Sequence, residues 1–315
     1  RMLETKSVGN SLLFAGPEGV GKGLFAQAMA RALIAMDDPD GSQAHKADNG
    51  NHPDIRHYRP EGKTGMHSIE SLRQFIDEVY MAPFEAKWKI FIIHDAHRML
   101  RYSANALLKT FEEPSEDSII ILLSHAPETL IPTVLSRCRT LYFQRVSVQD
   151  IALLLIDKYH CQADEARRIA QLSHGSVGRA VQLYRQGGKD LSRQRLLDFL
   201  VKGKVSTYYD LTAFVKEVSG QVDEQKKEME KEVKDELLNG SAYNDLTAYQ
   251  KQALTKEVEG ALSLRFSNEA DLFLETILSW YRDLHLLALC GDSEYLINKD
   301  YHSEMQQLVV RTEPL

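Results

Sequence analysis

The sequence predicts an α/β domain built on a five-stranded parallel sheet and followed by two all-helical units, and three observations carry that expectation. Short apolar runs alternate with helical patterns through the first half of the chain. Two of those runs, Ile90-Phe91-Ile92-Ile93 and Ile119-Ile120-Ile121-Leu122-Leu123, are continuously apolar, as strands covered on both faces should be. From about Val146 the strand signals stop and helical periodicity runs almost to the end.

Strands are expected at Ser11 to Ala15, Asp54 to Tyr58, Lys89 to His94, Ser118 to Ser124 and Arg139 to Phe143. The first leads into Ala15-Gly16-Pro17-Glu18-Gly19-Val20-Gly21-Lys22-Gly23, and then apolar residues at Phe25, Ala28, Met29, Ala32, Leu33 and Met36 keep helical spacing. A strand, a glycine-rich loop and a helix in that order are the context a phosphate-binding loop needs. Residues 37–53 are polar and turn-rich and read as a surface excursion. The sheet domain is expected over 1–146, a small helical unit over 147–187 closed by Gly187-Gly188, and a larger helical unit over 188–315. Within the last, Val222, Met229, Val233 and Leu237 form a narrow apolar stripe on a charged helix, and Asn239-Gly240-Ser241 breaks it, so a helical hairpin is expected at about 222–262. Its charged face reads as solvated, with a partner-binding coiled coil as the alternative.

A chain of 315 residues can bury a substantial core, and 43% hydrophobic with 26% charged residues is ordinary for a globular protein. A net charge of -7 argues against a protein that grips nucleic acid by its overall field. No apolar run reaches the roughly 18 residues needed to cross a bilayer, and no signal peptide pattern opens the chain, so a cytoplasmic protein with no membrane partner is expected. Cys138, Cys161 and Cys290 are too few and too scattered for a disulfide framework or a four-thiolate zinc site.

In a phosphate-binding loop the glycines let backbone N–H groups face the anion, the helix N-terminus adds its dipole, and the lysine reaches the terminal phosphates. Gly16, Gly19, Gly21 and Lys22 keep those parts. Gly23 stands where a serine or threonine hydroxyl would hold Mg²⁺, so phosphate binding is expected to survive better than hydrolysis. After the strand Lys89 to His94, one carboxylate, Asp95, stands where a metal-holding and a water-orienting acid would both be expected. A strand-end acid beside two hydrated histidines is the plainer alternative, and because strand alternation sends His94 and Asp95 to opposite faces, His94, Asp95 and His97 are not expected to share a metal. Pro132 opens a short apolar helix that ends at Ser136-Arg137-Cys138, which presents the Arg137 guanidinium at a surface where it could stabilise phosphate charge in a neighbouring subunit. A surface arginine beside a buried thiol is the plainer alternative.

Taken in order, AGPEGVGKG, His52-Pro53-Asp54, KIFIIHDAHRM, SANALLKTFEEP at Ser103 to Pro114 and TLIPTVLSRC resemble the clamp-loader branch of the AAA+ proteins. The stretch Ala170 to Leu183 resembles that family's lid helix with its arginine, Arg179, and Ser279 to Asp300 resembles its C-terminal collar. The resemblance implies an AAA+ P-loop domain, an all-α lid and an all-α collar. It also implies a hetero-oligomer in which tau/gamma motor subunits and a delta subunit load a sliding clamp onto primed DNA. Gly16, Gly19, Gly21, Lys22, Gly23, Asp95 and Arg179 would form the nucleotide site, and Arg137 would act in trans. With Gly23 and His94-Asp95 departing from the family's metal-binding groups, the chain is similar to members that share the fold without driving the ATP cycle. ATP binding is therefore expected to be weak or absent, an active ATPase motor being the alternative. Many relatives carry a four-cysteine zinc module before the His-Pro-Asp segment; 37–53 holds no cysteine, so no zinc is expected.

Overall fold

The computed structural model describes residues 9–36, 38, 41–99, 107–185, 187, 191–202, 247–290 and 295–311, with single positions at 212, 216, 230, 231, 233 and 234. The five expected strands are β1 (Ser11–Ala15), β2 (Ile55–Tyr58), β3 (Lys89–Ile93), β4 (Ser118–Ser124) and β5 (Arg139–Tyr142). They form one parallel sheet in the order β2-β3-β4-β1-β5. The two continuously apolar runs are interior strands, buried at every position, whereas the edge strands β2 and β5 carry exposed residues.

Strand alternation divides the core into two layers. Leu13, Phe91, Ile93, Ile120 and Leu122 face one side with Leu72, Phe75 and Val79. Leu12, Phe14, Ile90, Ile92, Ile119 and Ile121 face the other with Ala26, Met29, Ala30 and Leu33. The helices of this region are α1 (Lys22–Ala35), α2 (Ser42–Asp48), α3 (Ile69–Val79), α4 (Leu108–Glu112) and α5 (Pro132–Leu135). Thus α1 covers one face of the sheet and α3 the other. The expected excursion at 37–53 contains α2, which a polar sequence conceals: Asp38 accepts a hydrogen bond from the Ala44 N–H at 2.9 Å, and Ala47 is its one buried residue.

A second cluster lies in three helices, α6 (Val148–Tyr159), α7 (Ala163–Leu172) and α8 (Val177–Arg185). Ile151, Leu155, Ile169, Ala170, Ala180 and Leu183 are buried together there. Ser147 starts α6 by accepting the Asp150 N–H at 3.1 Å.

The chain divides into two compact units, residues 1–188 with 233–263, and residues 189–232 with 264–315. In the second, α9 (Leu191–Lys202) and α11 (His302–Arg311) contribute Leu197 and Met305 to a core around the fully buried Trp280. There Arg193 donates to both carboxylate oxygens of Asp300, at 2.6 and 2.8 Å, and to the Asn298 side-chain oxygen at 2.8 Å. Asp283 in turn accepts the backbone N–H groups of Ile297 and Asn298. The region expected as a hairpin lies largely outside the described residues up to 246; its second arm belongs to one helix, α10 (Ala248–Cys290), 43 residues long. No helix among the described residues is long and apolar enough to cross a membrane.

Candidate functional site

The glycine loop between β1 and α1 has the backbone its sequence demands. Gly16, Gly19 and Gly21 all have positive φ, at 150°, 72° and 98°. Two of them are also tightly enclosed. A Cβ on Gly16 would lie 2.2 Å from the Phe143 carbonyl oxygen, and one on Gly19 would lie 2.0 Å from Ser176 Oγ. Ser176 immediately precedes α8, so the helix that carries Arg179 starts against the loop. The contact is a hydrogen bond: the Gly178 N–H donates to the Gly19 carbonyl at 2.9 Å. Ser176 Oγ caps the same helix by accepting the Arg179 N–H at 3.2 Å.

Lys22 opens α1, and its ammonium donates to the carbonyls of Gly16 at 2.7 Å and Pro17 at 2.6 Å. Burial lowers its pKa below the ordinary lysine value, against the pull of Glu18 and Asp95. Gly23 is exposed, with an ordinary helical backbone, and a Cβ there would meet only Leu123 Cδ1 at 3.9 Å.

Asp95 comes directly after β3 in a left-handed conformation, φ 48°, and a short 3-10 turn runs from Ala96 to Arg98. Burial raises the Asp95 pKa, and the positive groups of His125, Arg98, Lys22 and Arg59 oppose that rise. His94 and Asp95 point apart, and the 3-10 turn after the left-handed residue brings His97 back beside Asp95. His94 leaves the site altogether: its Nε2 lies 3.1 Å from His57 Nδ1 on β2. His97 comes in with Asp95, and His125, directly after β4, joins them; the three ligand atoms all lie within 4.8 Å of one another. Sequence reasoning does not find His125. Its signal is the parallel register that sets Ile93 beside Leu122, which brings the residues after β3 and β4 to one end of the sheet.

Arg137 stands at the exposed end of α5, where Pro132 at the first turn orients the short helix. Its guanidinium donates to the Thr133 carbonyl at 2.9 Å and pairs with the carboxylate of Glu112 in α4. Cys138 beside it is buried, and burial pushes its thiol up to about 12.

A family model described as DNA polymerase III, delta subunit, matches residues 1–147. That match spans the sheet with the glycine loop, Asp95 and Arg137. The sheet domain is thus similar in sequence to the clamp-loader domain of delta-prime subunits. Its relatives include DNA polymerase III subunit delta' of Bacillus subtilis, 30% identical over 201 residues, which are 62% of this chain and 60% of that protein. Subunit delta' of Pseudomonas aeruginosa is 30% identical over 197 residues, 59% of this chain and 58% of that protein. Subunit tau of Bacillus subtilis is 30% identical over 219 residues, 65% of this chain and 38% of that protein. The matches to the delta' subunits thus span less than two thirds of those proteins. Within the sheet domain, the glycine loop keeps its backbone and lysine, while Gly23 supplies no metal-binding hydroxyl and Asp95, with His94 beside it, is one carboxylate where two would be expected.

Proposed function

We propose that this chain is the delta-prime-type subunit of a bacterial clamp loader. It has a sheet domain over 1–146, a lid over 147–187 and a collar over 188–315. It assembles with tau/gamma-type motor subunits and a delta subunit to load a sliding clamp on primed DNA, and it supplies Arg137 to ATP bound by an adjoining motor subunit. One observation carries this reading: an incomplete metal site at Gly23 and Asp95 coexists with a surface arginine after α5. Such an arginine contributes to phosphoryl transfer by neutralising charge that develops on the transferred group, which a subunit can do without hydrolysing nucleotide itself. The test is a complex reconstituted with Arg137→Ala. DNA-stimulated ATPase is expected to fall at least about tenfold with assembly unchanged; wild-type turnover would refute the trans role.

A second reading, a chain that hydrolyses ATP itself, draws support from the electrostatic reach between Lys22 and Asp95. Mg²⁺-dependent turnover by the isolated chain, abolished by Lys22→Ala, would favour it.

A further inference from the structure

We infer that Asp95, His97 and His125 form a binding site for a divalent transition-metal ion of the zinc, cobalt or nickel class. The inference is independent of the role proposed for Arg137. Three kinds of observation converge on it.

The first is placement. A carboxylate and two imidazoles come from two adjacent strand ends, and their ligand atoms lie within 4.8 Å of one another. Asp95 Oδ1 and His125 Nδ1 are 3.9 Å apart, beyond hydrogen-bond distance. Two ligands of a tetrahedral ion at about 2.1 Å sit about 3.4 Å apart, so small side-chain rotations bring this pair to bonding geometry. The His97 and His125 rings are neighbours, centroids 4.0 Å apart at 60°.

The second is an unmet polar atom. His97 Nε2 is buried without a hydrogen-bond partner, a state that costs free energy unless something binds it. The other ring nitrogen, Nδ1, lies 3.4 Å from Ser124 Oγ, which also accepts the Ala126 N–H at 3.2 Å. With Nδ1 beside that hydroxyl, Nε2 is the nitrogen left for an ion, and a partner on the other nitrogen is what fixes the orientation of histidine ligands.

The third is ligand chemistry. Two imidazoles and one carboxylate suit borderline ions, whereas Mg²⁺ takes oxygen ligands and keeps several waters. Where Gly23 removes a hydroxyl from a magnesium site, the two histidines supply nitrogen instead. Arg98, Lys22 and Arg59 lie within electrostatic reach of Asp95 and oppose an added cation, so a dissociation constant on the order of micromolar is expected.

The experiment titrates the metal-free full chain with Co²⁺, without nucleotide, monitoring the visible absorption of bound cobalt, and then displaces it with Zn²⁺. One equivalent should bind. His97→Ala and His125→Ala should each weaken binding at least about tenfold, while His45→Ala, at an exposed position on α2, should leave it unchanged. Zn²⁺ should also raise the thermal midpoint of the wild type and not of His125→Ala, whose partly exposed side chain makes a folding defect easy to exclude. Cobalt binding unaltered in both histidine variants, or none up to millimolar concentration, would overturn the inference.

Discussion

Arg137 and Glu112 form an ion pair within one chain, at the surface where α4 and α5 meet. An arginine directed to a neighbour's phosphates must exchange this carboxylate for a phosphoryl oxygen, and the exposed pair, worth roughly 1 kcal/mol or less, makes that exchange inexpensive. Glu112→Gln is therefore expected to keep or raise the ATPase of the reconstituted complex by no more than about fivefold, where Arg137→Ala lowers it. A loss of activity in Glu112→Gln comparable to that of Arg137→Ala would mean that the carboxylate positions the arginine rather than restrains it.

Gly23 can accept a side chain, since its added Cβ meets nothing closer than 3.9 Å. Gly23→Ser returns the hydroxyl that Mg²⁺ uses and improves the helix by a few tenths of a kcal/mol. Labelled ATP should bind this variant roughly tenfold more tightly with Mg²⁺ than without. Hydrolysis should stay slow because Asp95 is still one carboxylate where two would be expected.

At Gly19 two penalties coincide, a positive φ of 72° and a Cβ position 2.0 Å from Ser176 Oγ. Gly19→Ala should cost about 2 to 4 kcal/mol in urea unfolding. Adding Ser176→Ala should recover part of that loss by removing the hydroxyl, even though the lone Ser176→Ala change costs about 1 kcal/mol as a lost helix cap. Strict additivity would show that the loop shifts away from α8 in the single variant.

Asp54 accepts the backbone N–H groups of Phe84, Glu85 and Ala86 at 2.6, 2.9 and 2.9 Å. Burial alone would raise its pKa, but the three donors outweigh it and hold the carboxyl below its ordinary 3.8. A group depressed in the folded state stabilises the protein above the unfolded value, and the contribution disappears as pH falls through the folded one. Asp54→Asn should lose about 2 kcal/mol at pH 7 and show a shallower decline in stability below about pH 4. Equal slopes for the two proteins would refute this account.

The interior strands were legible because burial on both faces writes itself as unbroken runs of Ile, Leu and Phe, and all five strands lie within one residue of their expected ends. The loop was equally legible, since the positive φ of its glycines and the Lys22 bonds to Gly16 and Pro17 are local, although the enclosure of Gly16 by Phe143 and of Gly19 by Ser176 is not. The long helix was not. The arm expected to end at about 262 instead runs on to Cys290, and Gly260 within it packs against the Pro60 carbonyl oxygen, which lies 2.2 Å from where a Cβ would be. A glycine required by a distant backbone looks, in sequence, like one required by a turn. His125 was hidden for a related reason: its partners are set by strand register, and 28 residues separate it from His97 only along the chain.

The bond from the Gly178 N–H to the Gly19 carbonyl has a stereochemical corollary. A trans peptide points its carbonyl and its following N–H in opposite directions. Holding the Gly19 oxygen toward α8 thus turns the Val20 N–H the other way, away from that helix. Helix α8 serves as a splint that fixes the direction of one amide of the glycine loop. Displacing α8 would free that amide to turn without any change in the loop's own sequence.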